Sequence, residues 1–197
     1  AATLVKSDNE KVAIYKKAAS LYSNDYRPYN NMAEIAMKAA NYNEAKSLLQ
    51  KAAKLNPSAA EVNTNLGMLA LIDGNVVEAE KYLLKGTDSK ENAAALGNLY
   101  VAQGQYDRAG KAFGDTKSNA AALAQIMSKN YTAAKNTLSQ VEKADAYTYY
   151  LNAIVGARTN NASLVSSSIK SAIAKDASLA ETAANDREFA KFASSLK

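Results

Sequence analysis

The chain has 197 residues, 48% of them hydrophobic, and a net charge of +5, so it is long enough to bury a core of its own. It contains no His and no Cys, which excludes Ser-His-Asp and Cys-His nucleophilic chemistry, the usual zinc sites and disulfides. The basic residues are scattered among acidic ones, and no apolar run reaches the ~18 residues of a membrane span. We therefore expect no metal, no cofactor, no nucleic acid and no membrane insertion.

The composition also predicts an all-α chain. Much of the apolar content is Ala, which has the highest helix propensity and lets helices approach closely. Only two prolines occur, Pro28 and Pro57, and there are no β-branched runs with period-two alternation.

The first elements have clear start signals. Ser7 and Glu10 form a capping-box pattern, which predicts a helix from Asp8 to about Tyr22. Asp25 is expected to open a second helix, with Pro28 in its first turn, where the missing N–H has no consequence.

Helical hairpins are predicted to follow. Gly74 and Gly104 lie where a left-handed residue would end a helix. Residues Asn130–Ala134 repeat the turn at Asn41–Ala45 and predict a compact fourth hairpin. The other predicted helices run near Ala59–Ile72, Val76–Lys85, Ser89–Gln103, Tyr106–Phe113, Ala144–Ala157, Ala162–Ala174 and Asp186–Leu196, the last one packing Phe189 and Phe192 against the hairpin before it.

A repeat accompanies these elements. Met32-Ala33, Leu66-Gly67 and Leu96-Gly97 are each followed at fixed spacing by an aromatic or apolar turn residue, an Ala and a large apolar residue. The step from Met32 to Leu66 is 34 residues, and the next step, to Leu96, is 30. In this pattern the chain resembles the tetratricopeptide repeat (TPR) family, although Trp is absent at Tyr29, Asn63 and Ala93.

The resemblance implies a right-handed α-solenoid of about five helix–turn–helix units, with an extra N-terminal helix and a C-terminal capping helix. The chain is expected to be one domain over residues 1–197, with firm repeats over 26–113, degenerate repeats over 116–177 and a cap over 178–197.

The resemblance also implies a concave groove, lined by the first helix of each unit, that binds a peptide or a partner protein. Within this face, Glu34 and Glu91 would repel an acidic C-terminal peptide, which excludes the carboxylate clamp of TPR co-chaperones. Mapped onto this chain, the face consists mainly of Arg27, Asn30, Asn31, Glu34, Met37, Lys38, Thr64, Asn65, Met68 and Asn98.

Three functions stay open at this point. The leading hypothesis is a non-enzymatic scaffold for protein–protein interaction. The second is a structural spacer or assembly arm, because the run Ala183–Ala190 resembles the closing helix of TPR modules in OmpA-like envelope proteins. The third is a helical-toroid cell-wall hydrolase with a Glu in a cleft.

The location follows from the same observations. The resemblance to envelope proteins favours the periplasm or cell envelope, and a cysteine-free chain fits the cytoplasm equally well. Residues Ala1–Lys6 are too short for a signal peptide and lack an initiator Met, so we expect a processed product or a piece of a longer protein.

Overall fold

The computed structural model describes residues 7–195, and these are helical, with no strand among them. The all-α prediction is confirmed. Residues Ala1–Lys6 and Leu196, which entered the predictions above, lie outside the described part.

Five antiparallel helical hairpins follow a first helix, and a short cap completes the described chain. Helix packs on helix in the hairpins α2/α3, α4/α5, α8/α9 and α10/α11, and in the hairpin α6/α7 Gly97 lies against Phe113. The helices are α1 (Asp8–Leu21), α2 (Arg27–Lys38), α3 (Tyr42–Leu55), α4 (Ala60–Ile72), α5 (Val76–Leu83), α6 (Lys90–Ala102), α7 (Tyr106–Phe113), α8 (Asn119–Met127), α9 (Tyr131–Ser139), α10 (Ala146–Arg158), α11 (Ala162–Lys175), α12 (Leu179–Asn185) and a 3₁₀ helix (Arg187–Ser195).

The chain divides into two compact units, Ala1–Leu96 and Gly97–Lys197. In the first unit, α2 packs on α3, α4 packs on α5, and the two first helices α2 and α4 also touch. Their core is built around Ala33, Leu49 and Ala52, which are fully buried, together with Val62 and Leu69. Small residues at these positions bring the helices close enough to exclude water.

The second unit holds two apolar clusters. One surrounds Ile126, Leu138 and Leu151 between α8, α9 and α10. The other joins α10 and α11 to the cap, where Phe189 and Phe192 are buried. The predicted packing of these two rings against the fifth hairpin is confirmed.

All five hairpins turn in the same way. The residue directly before the N-cap of each second helix has a positive φ, and the N–H of the N-cap residue donates to a carbonyl five residues back at 2.8 Å. This is the Schellman arrangement. The sequence identified it only where the residue is Gly74 or Gly104; elsewhere Ala40, Lys129 and Asn160 adopt the left-handed conformation.

The repeat spacing of 30 residues between Leu66 and Leu96, compared with 34 between Met32 and Leu66, results from the short helix α5. This helix has eight residues where α3 has fourteen, and the link after it folds back against the first helices. The Thr87 N–H donates to Thr64 Oγ1 at 2.9 Å, and Asn92 Nδ2 donates to the Leu83 carbonyl at 3.0 Å. A Cβ on Gly86 would lie 2.4 Å from Asn92 Oδ1, so only glycine fits this link.

Two predicted elements differ in detail from the structure. Helix α2 begins at Arg27 and not at Asp25, because the Asp25 carboxylate accepts from the Arg27 N–H at 3.0 Å and so acts before the helix. The predicted short helix from Asp186 is present as a 3₁₀ helix over Arg187–Ser195, and α12 precedes it as an element that was not predicted. The two are separated where Asp186 Oδ1 accepts from the Glu188 N–H at 2.8 Å.

Candidate functional site

The contact between α2 and α4, which we call the seam, brings three predicted groove residues together. Asn65 Nδ2 on α4 donates to Asn30 Oδ1 on α2 at 2.9 Å and to Glu34 Oε1 at 3.2 Å. Asn30 Nδ2 donates to the same Glu34 oxygen at 2.9 Å. The Glu34 carboxylate is therefore fixed by two side-chain amides.

Burial separates the roles of these residues. Asn30 and Asn65 are only 3% and 9% exposed, whereas Glu34 is half-buried. Buried amides must be hydrogen-bonded, and both amides here spend their donors inside the protein. They thus shape the seam and hold Glu34, and direct contact of either with a ligand stays a prediction.

A second carboxylate lies at the start of the same seam. Tyr26 Oη donates to Glu61 Oε1 at 2.5 Å, and this hydrogen bond, with burial and the charge of Glu61, raises the pKa of the Tyr26 phenol. Beside it, Arg27 pairs with Asp25 at 2.7 Å, and its hydrogen bonds lower the pKa of the Asp25 carboxyl. These groups are solvent-screened, so the directions describe local charge and not stability.

The other end of the seam is apolar. Met37 on α2 and Met68 and Leu71 on α4 are half-buried, and Ile72 is 49% exposed. Methionine adapts its shape to different ligand surfaces, so this end can accept apolar side chains of a partner.

A cleft of about 270 Å³ between α1 and α2 opens onto Glu34. Lys11 in this cleft pairs with Asp8 at 3.0 Å. The lining residues are Asp8, Lys11, Tyr15, Asn31, Glu34, Ile35 and Lys38. Three of the ten predicted site residues, Asn31, Glu34 and Lys38, thus line this cleft.

The remaining predicted residues are distributed differently. Arg27 and Lys38 are exposed. Thr64 is buried, and its hydroxyl accepts from the Thr87 N–H, so it fixes the link after α5 and does not reach the seam surface. Asn98 is exposed but belongs to the second unit, outside the seam.

The sequence analysis missed Ile72, Tyr26 and the contribution of α1. A signal for the seam was present, because Tyr26 and Glu61 are separated by 35 residues, as are Asn30 and Asn65. Polar pairs one repeat apart indicate side chains that meet across neighbouring first helices. Nothing in the sequence alone showed which of them would be buried.

Two other kinds of site are absent from residues 7–195. No group of three or more acidic side chains is arranged there to hold a metal ion. No described helix combines the length and apolar character that crossing a membrane would demand.

Comparison with known proteins agrees with this architecture. Residues 30–94 match the family model of the tetratricopeptide repeat. No curated protein sequence matches the chain significantly.

Solved structures match over most of the chain. YrrB, described as a TPR protein with an unusual peptide-binding site, is 18% identical with a TM-score of 0.67, over 83% of this chain and 92% of that one. PilF of Pseudomonas aeruginosa is 14% identical with a TM-score of 0.69, over 94% and 89%. PilW, described as a type IV pilus biogenesis factor, is 18% identical with a TM-score of 0.62, over 93% and 89%. At these identities the likeness shows the fold.

Proposed function

We propose that this chain, which has the fold of tetratricopeptide repeat proteins and matches their family model over residues 30–94, is a scaffold that binds a peptide or a segment of a partner protein along the seam. Around the α2–α4 contact lie the buried Asn30 and the more accessible Glu34, Met37, Met68 and Ile72. YrrB, a protein of this fold that is described as having a peptide-binding site, supports the same class of function.

The observation that carries the proposal is the combination of fixed polar groups and accessible apolar groups on one face. Glu34 is held by two buried amides, and Ile72 is 49% exposed at the other end of α4. Preorganised polar groups beside an apolar patch are what an extended ligand needs for orientation and affinity.

The experiment uses peptides selected from a random phage-displayed library against the chain. The affinity of each peptide is measured by isothermal titration calorimetry on the wild type, on Ile72→Ser and on Val77→Ser. We expect Ile72→Ser to weaken binding about 10-fold, because one buried apolar side chain contributes about 1.5–3 kcal/mol.

Val77→Ser is the matched control. Val77 is 81% exposed on α5 and lies outside the seam. Unchanged affinity in Ile72→Ser, or an equal loss in the control, would place binding elsewhere and contradict the proposal.

The envelope location, the OmpA-like association and the spacer role stay predictions. The run that suggested them, Ala183–Ala190, has a structural explanation. Ala183 and Phe189 are buried in the cap cluster, Asp186 accepts from Tyr150, and Glu188 pairs with Arg158. These contacts account for the residue pattern of this run within the described chain.

The hydrolase hypothesis keeps its own test. Glu34 does line a cleft, and a zymogram on cell-wall substrate that shows no hydrolysis would remove this alternative.

A further inference from the structure

Glu34 and Glu61 accept their side-chain hydrogen bonds from neutral groups among the described residues. Each is held by neutral donors, Glu34 by the amides of Asn30 and Asn65 and Glu61 by the Tyr26 hydroxyl. Within residues 7–195, no Lys or Arg forms an ion pair with either carboxylate. A carboxylate fixed in this way is a preorganised acceptor for a cation.

The two carboxylates lie on neighbouring helices and are displaced along the helix direction. Glu61 and Asn65 are one turn apart on α4, so the group that Asn65 holds follows Glu61 by about 6 Å along the helix. Neighbouring basic residues of a peptide can reach both positions.

The nearby cations do not neutralise this end of the seam. Arg27 forms an ion pair with Asp25 at 2.7 Å, and Lys11 forms one with Asp8 at 3.0 Å. Lys38 is exposed one turn after Glu34 and lines the same cleft, but forms no ion pair with Glu34. Of the acidic side chains at this end of the seam, Asp25 forms an ion pair, whereas Glu34 and Glu61 form none among the described residues.

The apolar end lies further along the same two helices. Met68, Leu71 and Ile72 follow Glu61 by two to three turns on α4, and Met37 follows Glu34 on α2. Charge and apolarity are thus separated along the seam, which gives a ligand one preferred direction.

Building on the proposed function, we propose that the partner of this seam is a basic–apolar segment of a protein. Its Lys or Arg side chains contact Glu34 and Glu61, and its large apolar side chains cover Leu71 and Ile72.

The test uses three fluorescein-labelled peptides of equal length. The first has lysines in one half and leucines in the other; the second replaces the lysines by glutamate; the third replaces the leucines by serine. Fluorescence anisotropy measures their binding to the wild type. We expect the Lys/Leu peptide to bind at least 10-fold more tightly than the other two, with an affinity that falls as salt increases.

Variants of the chain test which carboxylate contacts the lysines of the peptide. Glu34→Gln keeps a side-chain oxygen for the two amides and removes only the charge, and we expect it to weaken the Lys/Leu peptide about 5-fold. Glu44→Gln, an exposed position in the first turn of α3, is the matched control and is expected to change nothing. Glu61→Gln serves in the same way if Glu34→Gln fails to fold, as judged by circular dichroism.

The outcomes separate the two proposals. If the Lys/Leu and Glu/Leu peptides bind equally and only Ile72→Ser weakens them, the seam binds peptides but the basic selectivity is wrong. If the Glu/Leu peptide binds best and Lys38→Gln abolishes this, the partner is acidic and the inference is overturned. If no peptide binding responds to Ile72→Ser, the proposed function fails as well.

Discussion

Asn30 in the first unit and Tyr150 in the second occupy the same position of their hairpins, about three turns before the asparagine that precedes the second helix, Asn41 or Asn161. Each bonds to a residue one repeat further along. Asn30 accepts from Asn65, and Tyr150 donates to Asp186 at 2.6 Å.

The surroundings of the two positions differ. Around Asn30 the partner residue lies on another first helix, and the neighbouring side chains of the seam stay half-buried. Around Tyr150 the partner residue lies in the cap. Phe189, 1% exposed, meets the Tyr150 ring edge-on at 5.4 Å between centroids.

The difference shows how one structural position serves two purposes. A small amide at this position links two first helices and leaves the face beside them open. A tyrosine at the same position provides a large apolar ring, so the next segment covers it and ends the apolar surface. The predictions below test this distinction, from the largest expected effect to the smallest.

Phe189→Ala is expected to lower the free energy of unfolding by about 3–5 kcal/mol, because it removes a fully buried ring and leaves a cavity beside Tyr150. Urea unfolding followed by far-UV circular dichroism measures it. Tyr22→Ala, at a residue 66% exposed, is the control and should stay within about 0.5 kcal/mol. A loss below about 1 kcal/mol would show that the cap does not close the second unit.

Asn65→Ala should destabilise by about 1–3 kcal/mol, since it leaves the buried Asn30 oxygen without its donor. Tyr150→Phe should cost about 1 kcal/mol or less, because Asp186 keeps the hydrogen bond from the Glu188 N–H and the ring stays packed. The same urea assay compares them. If Tyr150→Phe destabilised more than Asn65→Ala, the Asn30–Asn65 hydrogen bond would contribute less to stability than the Tyr150–Asp186 hydrogen bond.

Asp145→Ala should cost about 1 kcal/mol by removing the capping box of α10. Hydrogen bonds from Thr148 lower the pKa of the Asp145 carboxyl. The stabilisation of the fold by ionised Asp145 is therefore complete above ~4, the ordinary pKa of Asp, and is lost as the pH falls through the lowered pKa. The gap between variant and wild type should therefore shrink in acid. A gap that grows in acid would contradict this assignment.

Gly110→Ala should stabilise by about 0.5–1 kcal/mol, because the position is inside α7 and an added Cβ meets nothing within 4 Å. Gly156→Ala is expected to destabilise, since its Cβ would lie 2.9 Å from the Val165 backbone nitrogen on the facing helix α11. Thermal unfolding of both variants decides the point. If Gly156→Ala also stabilised the protein, α10 and α11 would have to move apart without cost.

The fold was largely predictable from the sequence because its signals are local. Ser7 and Glu10 gave the first helix start, and the capping box is present as predicted. Hairpin turns at Gly74 and Gly104 were predictable because glycine favours positive φ, whereas Lys129 adopts the same conformation only because the hairpin around it imposes it.

The site was predictable only in part, because burial depends on the neighbouring repeat. The family register placed Asn30, Glu34 and Asn65 on one face, and the structure brings them together. That Asn65 would be buried and Glu34 reachable depends on how closely α2 and α4 approach. The spacing of residues within one repeat does not determine the distance between α2 and α4.

The cap has a consequence for how such a chain can lengthen. Because Asp186 meets Tyr150 in the register in which Asn65 meets Asn30, the terminal segment takes the place of one more first helix. A whole hairpin inserted before Asp176 would find a surface already shaped for it, and the same cap could follow it. The interior of the five existing hairpins would then keep its present contacts.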